Sequence, residues 1–172
     1  MRLIGKTGPR WMLQIALLAA GSASAMSELP PVDTKASLDD SGPMVGTLPS
    51  YATVAMVNRA VNATTRYVAD VQRFGRSDLW MEADGSGDCE DFVLDKRRRL
   101  LAQGVPPNAM RIVTARVKTS QFGRARGHAV LVVMTTEGEW VLDMIGEPSR
   151  RQDLDYQWVK IQQGSKWYLV AN

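Results

Sequence analysis

The order of its periodic segments limits most strongly what this chain can fold into: stretches with helical spacing come first, and five stretches with strand spacing follow with no helical stretch between them. Val54, Val57, Val61, Val68 and Val71 recur on one face of a helix that Gly75 would end. A second helix is expected from near Asp88 to Gln103, with Gly104 in the C′ position and Pro106-Pro107 preventing continuation. Residues 111–118, 128–134, 139–143, 157–162 and 166–170 read as strands, the last two flanking Gly164 as a hairpin. The expected fold class is therefore α+β, an antiparallel sheet packed against the second helix.

Upstream of this pattern, Arg2, Lys6 and Arg10 precede an apolar run over residues 11–20 that closes on Ala23-Ser24-Ala25. That is the layout of a cleavable signal peptide cut after Ala25, and the run is shorter than the roughly 20 residues of a spanning helix. Residues 26–50 carry Pro30, Pro31, Pro43 and Pro49 among Ser, Gly and Asp and read as a flexible linker. One domain over residues 51–172 is left, in a periplasmic or secreted protein. The three leader cations account for the whole formal charge of +3, so the remaining chain is neutral. A nucleic-acid partner is not expected of a neutral domain.

An exported chain with a single cysteine cannot use it for an internal disulfide, so Cys89 is either a small buried hydrophobe or a working thiol. Its place at the start of the second helix suits the second role, because a helix N-terminus with a neighbouring imidazolium lowers a thiol pKa. Gly85 and Gly87 permit close backbone approach, and the Cys89 amide would be free to donate to an oxyanion. His128, the one histidine, opens a predicted strand directly after the flexible segment 123–127. If residues 135–138 form the turn, Asp143 lies opposite Val130, on the face of His128 and one diagonal step of about 7–8 Å away. A carboxylate ending the apolar run Trp140-Val141-Leu142 needs such a partner. Lys96, Arg97, Arg98 and Arg99 cluster in the C-terminal half of the helix and read as a solvated basic face rather than an anion site.

Three ordered motifs carry a resemblance: Gly87-Asp88-Cys89-Glu90-Asp91-Phe92, then Gly127-His128-Ala129-Val130-Leu131, then Val141-Leu142-Asp143. Together they resemble the bacterial transglutaminase-like cysteine proteinases and their LapG-like periplasmic branch, over most of residues 54–168. The resemblance implies a transglutaminase-like, papain-like fold in which Cys89 is the nucleophile, His128 the general base and Asp143 the orienting carboxylate. It implies no cofactor for the chemistry but a calcium ion beside the cysteine, with Asp88 and Glu90 at the matching positions. Calcium prefers such hard oxygen ligands, although two side chains fall short of its usual 6–8 oxygens. N-capping by Asp88, with Glu90 and Asp91 complementing the helix dipole, accounts for the same residues without a metal. After the aspartate, Met144-Ile145 departs from the family's more usual polar residue.

The function this implies is hydrolysis of a peptide or other amide through a thioester acyl-enzyme, on a protein or peptide substrate of the cell envelope, with a membrane-bound protein regulator as a further partner. Acyl transfer to an amine differs only in what reaches the thioester. A catalytically silent binding module of the envelope is the reading from another class, since fold does not fix function.

Overall fold

The computed structural model describes residues 46–118 and 125–170, all within one compact unit, Pro31–Asn172. The expected leader and most of the expected linker lie outside the described residues.

Helix α1, Tyr51–Thr64, begins where the Ser50 hydroxyl accepts from the Thr53 amide at 3.3 Å. It buries Val54, Val57 and Val61. The expectation of one helix running on to Gly75 is corrected: α1 stops at Thr64, strand β1 (Arg66–Tyr67) follows, and the short helix α2 (Asp70–Phe74) is separate. The break falls on two β-branched residues, and the Thr64 hydroxyl bonds back to the Ala60 carbonyl at 2.8 Å. β1 then finds a parallel partner in β2, Ser86–Gly87. Gly75 does end a helix, in the left-handed region at φ 67°, but that helix is α2, and Val71 is exposed.

Helix α3, Cys89–Ala102, starts and stops close to its expected ends, with Gly104 at φ 82°. Phe92, Val93 and Leu100 are buried along it. The basic run does not form a solvated face. Lys96 is wholly buried and Arg97 nearly so, because both fall in the stripe between Val93 and Leu100. Arg98 and Arg99 instead pair with Asp95 at 2.8 and 3.1 Å.

Five strands form one antiparallel sheet in the order β5-β4-β3-β6-β7: β3 Met110–Lys118, β4 Ala125–Thr135, β5 Gly138–Leu142, β6 Tyr156–Gln163 and β7 Lys166–Leu169. Met110, Ile112, Leu131 and Val133 face α1 and α3 and make the main core with Val54, Val61 and Leu100. Val113, Val130, Val132 and Val141 point the other way, against Tyr156, Trp158 and Ile161. β4 starts at Ala125, so His128 sits inside the strand opposite Ala115 rather than opening it.

Candidate active site

Cys89 is the first residue of α3. The loop before it is held by Asp91, fully buried in the first turn of the helix, whose carboxylate accepts from the Met81 amide and from Arg73, each at 3.1 Å. Gly87 lets that carboxylate come close: a Cβ at Gly87 would stand 2.5 Å from the Asp91 Cβ. The spacing Gly-x-Cys-x-Asp thus fixes where the thiol emerges.

His128 and Asp143 arrive from the sheet. The β4–β5 pairing of Leu131 with Leu142 puts Asp143 beyond the end of β5, across from Val130 and diagonal to His128, as the turn at residues 135–138 requires. His128 Nε2 lies 3.0 Å from both Asp143 carboxylate oxygens, and both residues are buried. The Tyr156 hydroxyl donates to Asp143 Oδ2 at 2.7 Å, with its ring edge-on to the His128 imidazole. Burial opposes ionisation of Asp143, but the hydrogen bonds and charge of His128, the Tyr156 hydroxyl and Lys96 outweigh it and hold the carboxyl below its ordinary value. Burial, then the bond to Asp143, push the Tyr156 phenol up, so it stays a donor.

The thiol is oriented between two elements. Cys89 Sγ donates to Glu90 Oε2 at 3.0 Å, and the Ala129 amide, next in chain to His128, favours its ionised form. Burial, followed by the Glu90 carboxylate, nevertheless pushes the thiol up rather than down. The expectation that the helix N-terminus with a neighbouring imidazolium would lower it is corrected: burial and the facing Glu90 carboxylate outweigh them.

Asp88 stands at the N-cap position of α3, as the metal-free reading has it, but its side chain makes no capping bond. It turns instead toward Glu90 and Asp70, and one ligand oxygen from each of Asp70, Asp88 and Glu90 lies within 4.8 Å of the others, all three residues buried. Asp70 was not among the sequence candidates. It is the first residue of α2, and nothing in its neighbours marks it. Among the described residues, Asp70 Oδ1 and Asp88 Oδ1 are buried without a hydrogen-bond partner. Burial, then the neighbouring Glu90, push the Asp88 carboxyl up to about 7. Buried carboxylates crowded together with oxygens left over fit a hard divalent cation, and three carboxylates approach the oxygen count calcium takes.

Beside this site a groove of about 1000 Å³ runs along α3, lined by Leu94, Leu101, Ile112, Trp80, Trp167 and Lys160, and reaches Gly127, the residue before His128.

Comparison with known proteins points the same way. The family described as "Bacterial transglutaminase-like cysteine proteinase BTLCP" matches residues 32–171. Solved structures of Legionella pneumophila LapG are similar: the calcium-bound form is 27% identical with a TM-score of 0.55, over 69% of this chain and 67% of that one. The EGTA-treated form is likewise 27% identical with a TM-score of 0.55, over 70% and 67%. A further LapG structure is 27% identical with a TM-score of 0.54, over 70% and 69%. No curated protein sequence matches.

Proposed function

This chain belongs to the bacterial transglutaminase-like cysteine proteinases and is a cysteine peptidase of that fold, and from this we propose that Cys89, His128 and Asp143 are its nucleophile, base and orienting acid. The observation that carries the reading is the approach of His128 Nε2 to Asp143 at 3.0 Å, with the sole cysteine at the α3 N-terminus beside the Ala129 amide. A carboxylate opposite Nε2 favours the tautomer with its proton there and leaves Nδ1 as the basic nitrogen. His128 takes the thiol proton, Cys89 Sγ bonds to the substrate carbonyl carbon, and the C–N bond breaks as the proton passes to the departing amine. Water, deprotonated by the same ring, then cleaves the thioester and restores the thiol. As the first residue of α3, Cys89 has an amide with no acceptor inside the helix, and it can donate to the oxyanion.

Asp70, Asp88 and Glu90 would hold a calcium ion. Bound there, it would offset the carboxylate charge that raises the Cys89 thiol. The groove along α3 has the size and apolar lining to seat several residues of an extended polypeptide.

The test is digestion of a mixed peptide library by the protein and by Cys89→Ser, followed by mass spectrometry. New amino termini that need Cys89 support hydrolysis, new isopeptide bonds would shift the reading to acyl transfer, and neither product would leave a binding module. Export belongs to the same proposal: a leader cut after Ala25 gives a secreted or periplasmic protein whose first residue is Met26, as amino-terminal sequencing from the expressing cell would read.

A further inference from the structure

Among the described residues, one basic side chain is completely buried, and the mechanism above does not use it. Lys96 has no exposed surface, and removing an ammonium or amine from water is costly unless it is bonded. Its partner is specific: Nζ donates to the main-chain carbonyl of Asp143. Lys96 stands seven residues after Cys89 on α3, two helical turns on and so on the same side of the helix. The helix that presents the thiol therefore also touches the residue beneath the imidazole.

A second helix grips the same atom. Asn62 of α1 donates from Nδ2 to the Asp143 carbonyl at 3.0 Å, and Asn58 Nδ2 donates to the Gly146 carbonyl at 2.9 Å. Beyond Leu142 strand β5 has ended, so no ladder fixes the Asp143 backbone. Two side chains from two helices do so instead, while His128 and Tyr156 occupy its carboxylate. The carbonyl end and the carboxylate end of one residue are thus held by different elements.

We propose that Lys96, with Asn62, is a positioning residue of the active site: by clamping the Asp143 carbonyl it keeps the carboxylate under His128 Nε2 and couples its placement to the helix that carries Cys89. Burial lowers the Lys96 ammonium to about 7 against the pull of Asp143 and Asp95. Either protonation state keeps an N–H for the carbonyl, so the clamp does not depend on its charge. The aliphatic stem, with Nζ 5.8 Å from the centre of the Phe92 ring, packs in the core.

The proposal rests on the triad assignment, and its test separates the two. Cys89 is the only cysteine, so the rate of iodoacetamide alkylation, read by intact mass in calcium-containing buffer at one fixed near-neutral pH, reports on that thiol alone. Wild type, Lys96→Met and Asn62→Ala are compared, each also in a His128→Ala background, with melting temperatures alongside. Lys96→Met keeps the volume and removes the donor; Asn62→Ala changes a half-buried residue and leaves the core intact. The expected result is a loss of about tenfold for Lys96→Met and a smaller loss for Asn62→Ala, both vanishing when His128 is already absent, because a clamp acting through the imidazole has nothing left to align. Losses that persist in the His128→Ala background would show a merely structural lysine and overturn the proposal. An unchanged rate in Asn62→Ala would overturn it too, even if Lys96→Met failed to fold. If His128→Ala alone leaves the wild-type rate unaltered, the triad assignment itself fails.

Discussion

Asp143 presents both of its carboxylate oxygens to Nε2 of His128, each at 3.0 Å, so the imidazole is held by one nitrogen, and the proposed base is the other. Asn at position 143 would keep the size but set an amide N–H₂ against Nε2, favouring the tautomer with its proton on Nδ1. Asp143→Asn is expected to slow acylation of Cys89 by about 10²–10⁴-fold, and His128→Ala by at least as much. Because the two act as a unit, the double variant should be little slower than His128→Ala alone. Single-turnover acylation of the four proteins checks this. Multiplicative losses would mean that Asp143 acts independently of the ring, which the mechanism does not allow.

Tyr156 supports the same carboxylate from β6, through a 2.7 Å bond to Oδ2. Tyr156→Phe removes only the hydroxyl and should cost about 1.5–3 kcal/mol at neutral pH, the range for a hydrogen bond to a charged group. The sign with pH follows from Asp143, whose folded carboxyl is held below its ordinary value. Its stabilisation is fully present above the unfolded pKa and is lost as pH falls through the folded one. Urea unfolding of the two proteins should therefore differ most near neutrality and converge on acidification. A gap that widens in acid would show that the hydroxyl does not act through the ionised carboxylate.

Gly87 tests the packing that aims the thiol. Its missing Cβ would lie 2.5 Å from the Cβ and 2.6 Å from Oδ2 of Asp91, and Asp91 cannot retreat without releasing the Met81 amide and Arg73. Gly87→Ala is expected to lose about 1–3 kcal/mol to overpacking. Gly85→Ala, where a Cβ meets nothing within 4 Å, should cost only the strain of its left-handed φ of 65°. Denaturant midpoints of the two variants compare them directly, and an equal small loss in both would remove the steric argument.

What the sequence made legible were features set by local rules. Turn position and strand parity were enough to bring Asp143 within a diagonal of His128, because a two-residue period leaves little freedom once residues 135–138 turn. The start of α3 at Cys89 followed from a glycine-rich approach and a clean helical stop at Gly104. Tyr156 and Asp70 were not legible, since each reaches the site through a non-local pairing: β6 against β3, and α2 against the loop before α3. Valine spacing alone carried the first helix past Thr64, where hydroxyl back-bonding and a two-residue strand ended it. Lys96 and Arg97 were misread because a charge run suggests water, whereas the register of Val93 and Leu100 placed them inward.

The proposed calcium site at the acidic cluster fixes the sign of its response to calcium and to pH. Burial and Glu90 raise the Asp88 carboxyl to about 7, so between roughly pH 4 and 7 the folded chain keeps a proton that the unfolded chain has released. The contribution of this group to stability falls as pH rises through that window, and the full penalty is present above it. Calcium needs the ionised ligand, so it competes with the proton. Melting temperature with a chelator should drop between about pH 5 and pH 8, and added calcium should raise it by several degrees at pH 8 but little at pH 5. Comparing the two conditions at each pH cancels other titrating groups, among them Lys96. Asp88→Asn removes the buried charge while keeping the shape, and should melt higher than wild type in chelator at pH 8 while losing most of the calcium response; Asp70→Asn should weaken the response as well. A calcium-induced rise equal at both pH values, or unchanged by Asp88→Asn, would place the ion elsewhere and leave Asp70, Asp88 and Glu90 as a buried proton-sharing cluster.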